Sequence, residues 1–370
     1  MTKRNLEPAT DVLVIGGGLI GMACAVAAAE RGLTVRLVAL RLSGEASLAG
    51  AGLLAPSVER GDGPSHAFAV AARERYPAYV DWLRDRTRVD VPLGLRGIVQ
   101  VAVNDAGVRG LKRAMPDGAR WLDRHELAEL EPALAHGLGG VLHERDGWVD
   151  NEVLFRALRQ LVSEHPRVAL VDDRVARLRF GADAAAIGTN GAVYRGGRAV
   201  LAAGAWSALI DGLPRPLAVE PVRGQMLAYA TAPLSRAVYG PTGYVVPRAD
   251  GRTLVGATME RVGFEAATTE AGINRLRRTA AEILPSLAEV EPVQAWAGIR
   301  PISADLQPII GPDPDEPWLI YATGHSRNGI LMTPLTGDCV AALLASEPPP
   351  VPLAPFAPAR FGGRAGKATE

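Results

Sequence analysis

The stretch that decides the fold is "DVLVIGGGLIGMACAVAAAERGLTVRLVA", residues 11 to 39. It opens with a short β-branched run at residues 11 to 16, reads as a helix over 19 to 32, and returns to strand character at 34 to 39. These pieces make one βαβ unit, with Gly16-x-Gly18-x-x-Gly21 following the strand and opening the helix. Glycines there permit a tight turn and close backbone approach, and the helix N-terminus aims unpaired N–H groups at a pyrophosphate. Behind Lys3 and Arg4 the same run is apolar enough to suggest a signal peptide or membrane span. Gly16, Gly17, Gly18 and Gly21 at strand–turn–helix spacing argue instead for a soluble unit, and "AERG" at 29 to 32 ends the segment as a soluble helix ends. No other run is long enough to span a bilayer, so no membrane association is expected.

One part of the nucleotide-binding unit is missing. At the tip of the second strand, where such folds place a carboxylate on the ribose hydroxyls, stands Ala39. Arg41 follows, and an arginine replacing the acid is how these folds accommodate the 2′-phosphate of NADP. A solvated loop arginine fits the same sequence equally.

With 370 residues the chain exceeds what one hydrophobic core usually serves, so two domains are expected. Forty acidic residues balance forty basic ones, which gives no general pull toward nucleic acid or anionic lipid. Cys24 and Cys339 fall in apolar helical segments and read as small fillers in a reducing compartment, hence a cytoplasmic location. Residues 44 to 65 form a long loop rich in glycine and alanine, of a length that is usually functional or mobile. Helical periodicity returns at 66 to 87, 151 to 164 and 274 to 287. Strand-like runs at 97 to 103, 226 to 231, 243 to 248 and 253 to 258 suit an antiparallel sheet. Segments 197 to 207 and 318 to 346 look like returns to the first domain. The expected fold class is therefore α/β: a discontinuous Rossmann-like domain with a second, antiparallel-sheet α+β domain. We place the first at 1–85, 145–218 and 301–346, and the second at 86–144 and 219–300. The tail from 347 to 370, rich in proline, glycine and alanine, reads as an extended strap followed by disorder.

The distal segments carry a family resemblance. "WAGIRPISADLQPIIG" (296 to 311) followed by "ATGHSRNGILMTPLTGD" (322 to 338) resembles the closing half of the glycine oxidases of the D-amino-acid oxidase superfamily. "SLAGAGLLAP" (47 to 56), "LAAGAWS" (201 to 207), "PVRGQMLAY" (221 to 229) and "GYVVPRADGRTLVGATME" (243 to 260) resemble that group's segments in the same order. The resemblance implies noncovalent FAD, a small amine or amino-acid substrate, molecular oxygen as acceptor, a link to thiamine thiazole synthesis, and a homo-oligomer, a tetramer. Carried over by position, the cofactor would meet Gly16, Gly18, Leu19, Ile20 and Gly21 at the turn, and Ala39 and Leu40 at the strand tip. Ala46, Ser47, Ala51, Gly52 and Leu53 would line it from the loop, with Val175 and Gly204 beyond. The last motif, Gly324, His325, Ser326, Arg327, Asn328, Gly329, Ile330 and Leu331, would wrap the flavin. Arg300 would bind the substrate carboxylate, Tyr244 and Arg327 would help hold the amino acid, and Met259 would line the pocket.

Some of these roles make physical sense without the family. A guanidinium presents two parallel N–H donors that match a carboxylate, and Arg300 sits in a mostly apolar strand where an unpaired structural arginine would be costly. Tyr244 and Met259 fit a core as well as a pocket, and Arg327 could steady its loop. The chain departs from the family at Ala39, where the acid is normally present. A lost charged hydrogen bond costs roughly 1.5–3 kcal/mol of cofactor binding, and Ser43 or Glu45 could fold back onto the ribose. A second departure is Thr242–Gly243, which leaves pocket size open. The six histidines make no H-E-x-x-H spacing, no metal site is expected, and no serine sits in a G-x-S-x-G elbow. No catalytic residue of the protein is required, because the flavin carries the hard step. Rival readings are an FAD-dependent dehydrogenase with a non-oxygen acceptor, an FAD domain acting in tRNA modification, a non-catalytic relic, and the NADP site.

Overall fold

The computed structural model describes residues 10–59, 63–181 and 184–362. Lys3, Arg4 and the end of the tail lie outside them. Strand β1 (Thr10–Ile15), helix α1 (Leu19–Glu30) and strand β2 (Val35–Val38) form the βαβ unit, with β1 and β2 parallel. The strand Val193–Leu201 runs parallel to β1 on its other side, and Val168–Val171 runs parallel to β2. The free edge of Val193–Leu201 serves two partners. Its first half pairs with the hairpin strand Ala184–Gly188, and its second half runs parallel to Leu319–Thr323. Five parallel strands drawn from three distant stretches therefore end on the same side. Among them β2 and Leu319–Thr323 are buried on both faces, as parallel strands in the middle of a layered fold are.

The second sheet has eight strands, in the order Gln294–Ser303, Val219–Tyr229, Thr253–Gly256, Tyr244–Pro247, Ala237–Tyr239, Ile98–Ala102, Gly139–His143 and Arg120–Leu122. It is antiparallel as expected except for one pair, Ala237–Tyr239 beside Ile98–Ala102. The short pairing strands at 120–122 and 139–143 escape a reading by periodicity, because two glycines open one of them and the other has only three residues.

Helix α1 packs along Gly329–Leu344. The two come close at Gly337, where a Cβ would lie 3.0 Å from the carbonyl oxygen of Ala23. Cys24 and Cys339 are free thiols buried here, and burial pushes Cys339 up to about 12. Pro334 lies inside the second helix and has no N–H for the carbonyl of Ile330, four residues earlier. The hydroxyl of Tyr76, fully buried on the helix Pro64–Thr87, donates to that carbonyl instead.

The described parts of the loop, 44–59 and 63–65, hold more structure than their composition suggests. It contains the helical turns Ala46–Ala49 and Pro56–Glu59. Asp146, fully buried, accepts from the backbone N–H of Ser57 (2.9 Å) and Val58 (3.0 Å) and from Arg73 (2.6 Å). Asn151 reaches the carbonyl of Ser47 at 2.8 Å. A loop tied by buried polar groups from other elements gives up mobility for placement, because each group would otherwise be buried without a partner.

The tail is likewise more than a strap. Phe356 is buried edge-on against Phe68, ring centroids 5.2 Å apart, and Arg360 pairs with Asp305 at 2.7 Å. Replacing Phe356 with alanine is expected to destabilise the protein by about 3–5 kcal/mol, measured by chemical unfolding. A change under ~1 kcal/mol would mean that the tail only lies on the surface.

Candidate active site

The parallel strands end around a cavity of about 420 Å³, bounded by Ile15, Val38, Ala202 and Thr323 on one side and by Gly224, Gly298 and Arg300 of the second sheet on the other. Ligands of open parallel sheets bind outside the carboxyl ends of the strands, where this cavity lies. Gly16 has φ +110, and a Cβ there would come within 2.4 Å of the carbonyl oxygen of Ala202. A Cβ at Gly21 would lie 1.8 Å from the carbonyl oxygen of Gly16. Side chains are thus excluded where strand, turn and helix meet, and the helix start is left open to the cavity. No side chain caps Gly18 at the start of α1, while Ser47 accepts from the N–H of Leu19 at 3.0 Å. An uncapped helix N-terminus beside a hydroxyl suits a pyrophosphate, so the residues present fit a bound dinucleotide.

Gly16, Gly18, Leu19, Ile20, Ala39, Leu40, Ala46, Ser47, Val175, Gly204, His325, Ser326, Arg327, Gly329 and Ile330 all line this cavity. Gly21 stands behind the turn. Ala51, Gly52 and Leu53 do not line it, Ala51 packing in the cluster of Ile98, Trp148 and Val246 and Leu53 pairing with Trp148. Gly324 packs against Ile309, Asn328 precedes the last helix, and Leu331 is buried in the first core. Met259 is half exposed and off the wall. Arg41 does not line the cavity either. Its Nε lies 3.0 Å from Glu45, and its guanidinium stacks 4.8 Å over Phe155, so it is held away from any 2′-phosphate. This speaks against the NADP reading.

At the other end, Arg300 enters from the strand Gln294–Ser303. A Cβ on Gly224, in the neighbouring strand, would fall 1.9 Å from its Nη1, so glycine makes the room the guanidinium occupies. Nη1 donates to the carbonyl of Thr258 at 3.1 Å, and among the described residues no carboxylate forms an ion pair with Arg300. Thr258 is fixed in turn, its hydroxyl accepting from the backbone N–H of Gln225 at 2.9 Å. The fully buried Gln225 side chain donates to Glu260 (2.8 Å) and Thr269 (3.0 Å) and accepts from the N–H of Thr269 (2.8 Å). Arg223 also bonds to Glu260, at 2.8 Å through Nε. This belt ties down the segment carrying Thr258 and Met259.

Tyr244 lies against Arg300. Burial raises its phenol pKa, and the Arg300 charge opposes that rise, so the hydroxyl stays protonated at neutral pH. Its ring tilts toward Tyr239 at 5.4 Å, and Tyr239 bonds to Glu59 at 3.1 Å. Glu59 pairs with Arg327 at 3.4 Å, Arg327 being half exposed. Arg300, Tyr244 and Arg327 therefore share one corner, joined by Glu59 and Tyr239, two residues that neither spacing nor resemblance singles out. Thr242 turns the other way, bonding to Thr279 and Glu282 on the helix Glu270–Ile283. His325 is buried, its Nε2 3.1 Å from the Thr336 hydroxyl, and burial pushes its pKa down to about 3. A neutral imidazole of that kind contributes shape and a hydrogen bond, not proton transfer. Trp206 and Leu209 add apolar wall, and only their place after the strand Val193–Leu201 hinted at it.

Among the described residues no cluster of histidine, cysteine and carboxylate could hold a metal, and no helix is long and apolar enough to cross a membrane. Residues 11–343 match the family model described as "DAO: FAD dependent oxidoreductase". The glycine oxidase of Pseudomonas aeruginosa is 34% identical over 371 residues, covering 94% of this chain and 98% of that protein. The bifunctional protein ThiO/ThiG of Synechocystis is 33% identical over 96% of this chain, which spans only 55% of that longer protein. Among solved structures, glycine oxidase from Geobacillus kaustophilus superposes with a TM-score of 0.88 at 30% identity, covering 96% of this chain and all of the other. With the family model matched from residue 11 to 343 and a cavity running from the open helix start to Arg300, the chain belongs to the DAO family of FAD-dependent oxidoreductases.

Proposed function

We propose that this protein oxidises glycine or another small amine or D-amino acid to the imine, which water converts to the oxo acid and ammonia, with oxygen reduced to hydrogen peroxide. The observation that carries this reading is Arg300: a half-buried guanidinium without an ion-pair partner among the described residues, at the cavity wall and held by one backbone carbonyl. A guanidinium so placed keeps donors free for a carboxylate, and the desolvated site strengthens that pairing. FAD, when bound, supplies the two-electron acceptor for the hydride of the substrate's α-carbon.

The chain's own part is positioning. Arg300 anchors the carboxylate, and the protonated Tyr244 beside it can donate a further hydrogen bond. Arg327 and Glu59 neutralise each other at the same corner, so a zwitterion meets no net charge beyond Arg300. Trp206, half-buried, adds apolar surface to the cavity wall. The cofactor would be held by the Gly16–Gly21 turn, Ser47, Val175 and the segment from His325 to Ile330. The same proposal includes a cytoplasmic homo-oligomer that binds neither nucleic acid nor membrane. A product handed on to thiamine thiazole synthesis is consistent with the two-part ThiO/ThiG relative.

The reading is tested by offering glycine, sarcosine and small D-amino acids to the purified protein, first without oxygen and then under air. Bleaching of the yellow flavin band and stoichiometric peroxide are expected. Bleaching without peroxide, with turnover restored by a quinone, would replace the oxidase with a dehydrogenase; no bleaching with any amine would end the proposal.

Two variants probe the clamp. Arg300→Leu should keep the flavin spectrum while raising KM about 100-fold or more, in line with the loss of one partner of a desolvated charge pair. Gly224→Ala should push the guanidinium aside and raise KM about tenfold or more, with FAD affinity unchanged. Unaltered KM in steady-state assays of either variant would remove Arg300 as the carboxylate anchor.

A further inference from the structure

Arg248 follows the strand Tyr244–Pro247 of the second sheet, in the turn of the hairpin with Thr253–Gly256, and its side chain is fully shielded from solvent. The carboxylate it approaches, Asp150, lies 3.7 Å away. That carboxylate is already engaged, its Oδ1 accepting from the N–H groups of Glu152 and Val153 at 3.1 Å each. Those groups open the helix Asn151–Glu164, at the positive end of its dipole, where a further cation is unfavourable. A guanidinium buried in such a place is costly unless its donors hold something.

The donors converge on one short segment. Nη1 donates to the carbonyl of Val149 at 3.1 Å, and Nη2 donates to Oδ1 of the fully buried Asn151. A guanidinium can only donate, so it fixes which end of the Asn151 amide faces it. The NH2 of that amide must then face the other way, and there it donates to the carbonyl of Ser47 at 2.8 Å. The Ser47 hydroxyl, on the cavity wall, accepts from the N–H of Leu19 at the start of α1 at 3.0 Å. With a lone pair engaged there, the hydroxyl still has its proton to donate to an oxygen in the cavity. The same segment holds the loop at a second point, where the N–H of Val149 donates to the carbonyl of Gly52 at 2.8 Å. Arg252, in the same hairpin turn as Arg248, pairs with Glu152 at 3.1 Å, so the second sheet grips this helix start twice. We propose that Arg248 is a positioning residue for the cofactor: through Asn151 it holds the Ser47 hydroxyl in place to donate to the pyrophosphate of FAD. The charge at one end of the chain polarises the Asn151 amide and strengthens its bond to Ser47. The sheet that supplies Arg300 and Tyr244 thereby also sets the geometry of the phosphate site.

This inference rests only on FAD being the cofactor, not on the amine that is oxidised. The test titrates cofactor-stripped protein with FAD, following flavin fluorescence, and measures the unfolding of each apoprotein so that lost stability is read apart from lost affinity. Ser47→Ala, Asn151→Ala and Arg248→Met should each raise the FAD Kd about tenfold, the loss expected of one hydrogen bond to a charged group. Residues that act through a single hydroxyl do not add. In the Ser47→Ala background, Arg248→Met should therefore raise the Kd by less than about twofold more, whereas independent contributions would multiply to roughly a hundredfold. Asn151→Asp keeps an acceptor for Arg248 but has no N–H for Ser47, and it should weaken FAD as Asn151→Ala does. If Arg248→Met does not fold, the Asn151 variants complete the same cycle with Ser47→Ala. An FAD Kd left unchanged by Arg248→Met or by Asn151→Ala would overturn the proposal. So would a loss from either variant that persists in full in the Ser47→Ala background, which is the mark of a general loosening of the fold. A wild type that binds FAD tightly yet oxidises no amine would refute the proposed activity and leave this assignment intact.

Discussion

The close approach of backbone to backbone at Gly16, Gly21 and Ala202 is the constraint on which the rest of the molecule depends. Two glycines remove the side chains that would hold β1, α1 and the end of Val193–Leu201 apart. The helix then starts within reach of the strand ends, and its unpaired donors open onto the cavity. Every other contributor to the cavity is positioned relative to that junction. Ser47 hydrogen-bonds to the first residue of α1, and Asn151 holds the carbonyl of Ser47. Gly50 leaves room for Ile330, whose side chain fills the place a Cβ would take.

A second use of absent side chains governs the substrate end. Gly224 makes space for the guanidinium of Arg300, and Gly256 does the same for Tyr244 and Met226. Neither space is slack, since the polar belt of Gln225, Thr258, Glu260 and Thr269 fixes the segment that holds Arg300 in place. Burying so many polar groups is tolerable because each is matched to a partner, and a fully satisfied network specifies a single arrangement. Burial acts on the titrating groups nearby in one direction: it keeps the Tyr244 phenol protonated and the His325 imidazole neutral. That end of the molecule thus carries arginine charge beside a protonated phenol and a neutral imidazole.

Charge has been moved around the cofactor end in a similar way. With alanine at the tip of β2, the carboxylate on the cavity wall nearest to it in sequence, Glu45, comes from the following loop and is paired with Arg41. Loops tolerate such exchange better than strand tips do, because a loop can change its length and path without disturbing the ladder of hydrogen bonds. The tail follows the same logic of distant support. Phe356 closes the first core and Arg360 bonds to residues around the turn at Asp305.

What the sequence determined by itself was whatever depends on near neighbours. The βαβ unit, the helices at 64–87, 151–164 and 270–283, and the strands flanking Tyr244 follow from periodicity and glycine spacing, which are properties of a few consecutive residues. Arg300 was singled out by the family resemblance and by the cost of an unpaired arginine in an apolar strand, and it does line the cavity. Only the tertiary structure could decide which residues share a wall. Glu59 meets Arg327 and Tyr239 across intervals of well over a hundred residues, and Arg41 turns out to face Phe155 and not the cavity. Ala51, Leu53 and Leu331 belong to motifs that the family resemblance assigned to the cofactor, yet their side chains pack into apolar clusters and do not line the cavity. The physical reason is the same in each case. A residue's type and spacing fix what it can bond to, while the partner it finds is set by packing between segments far apart in the chain.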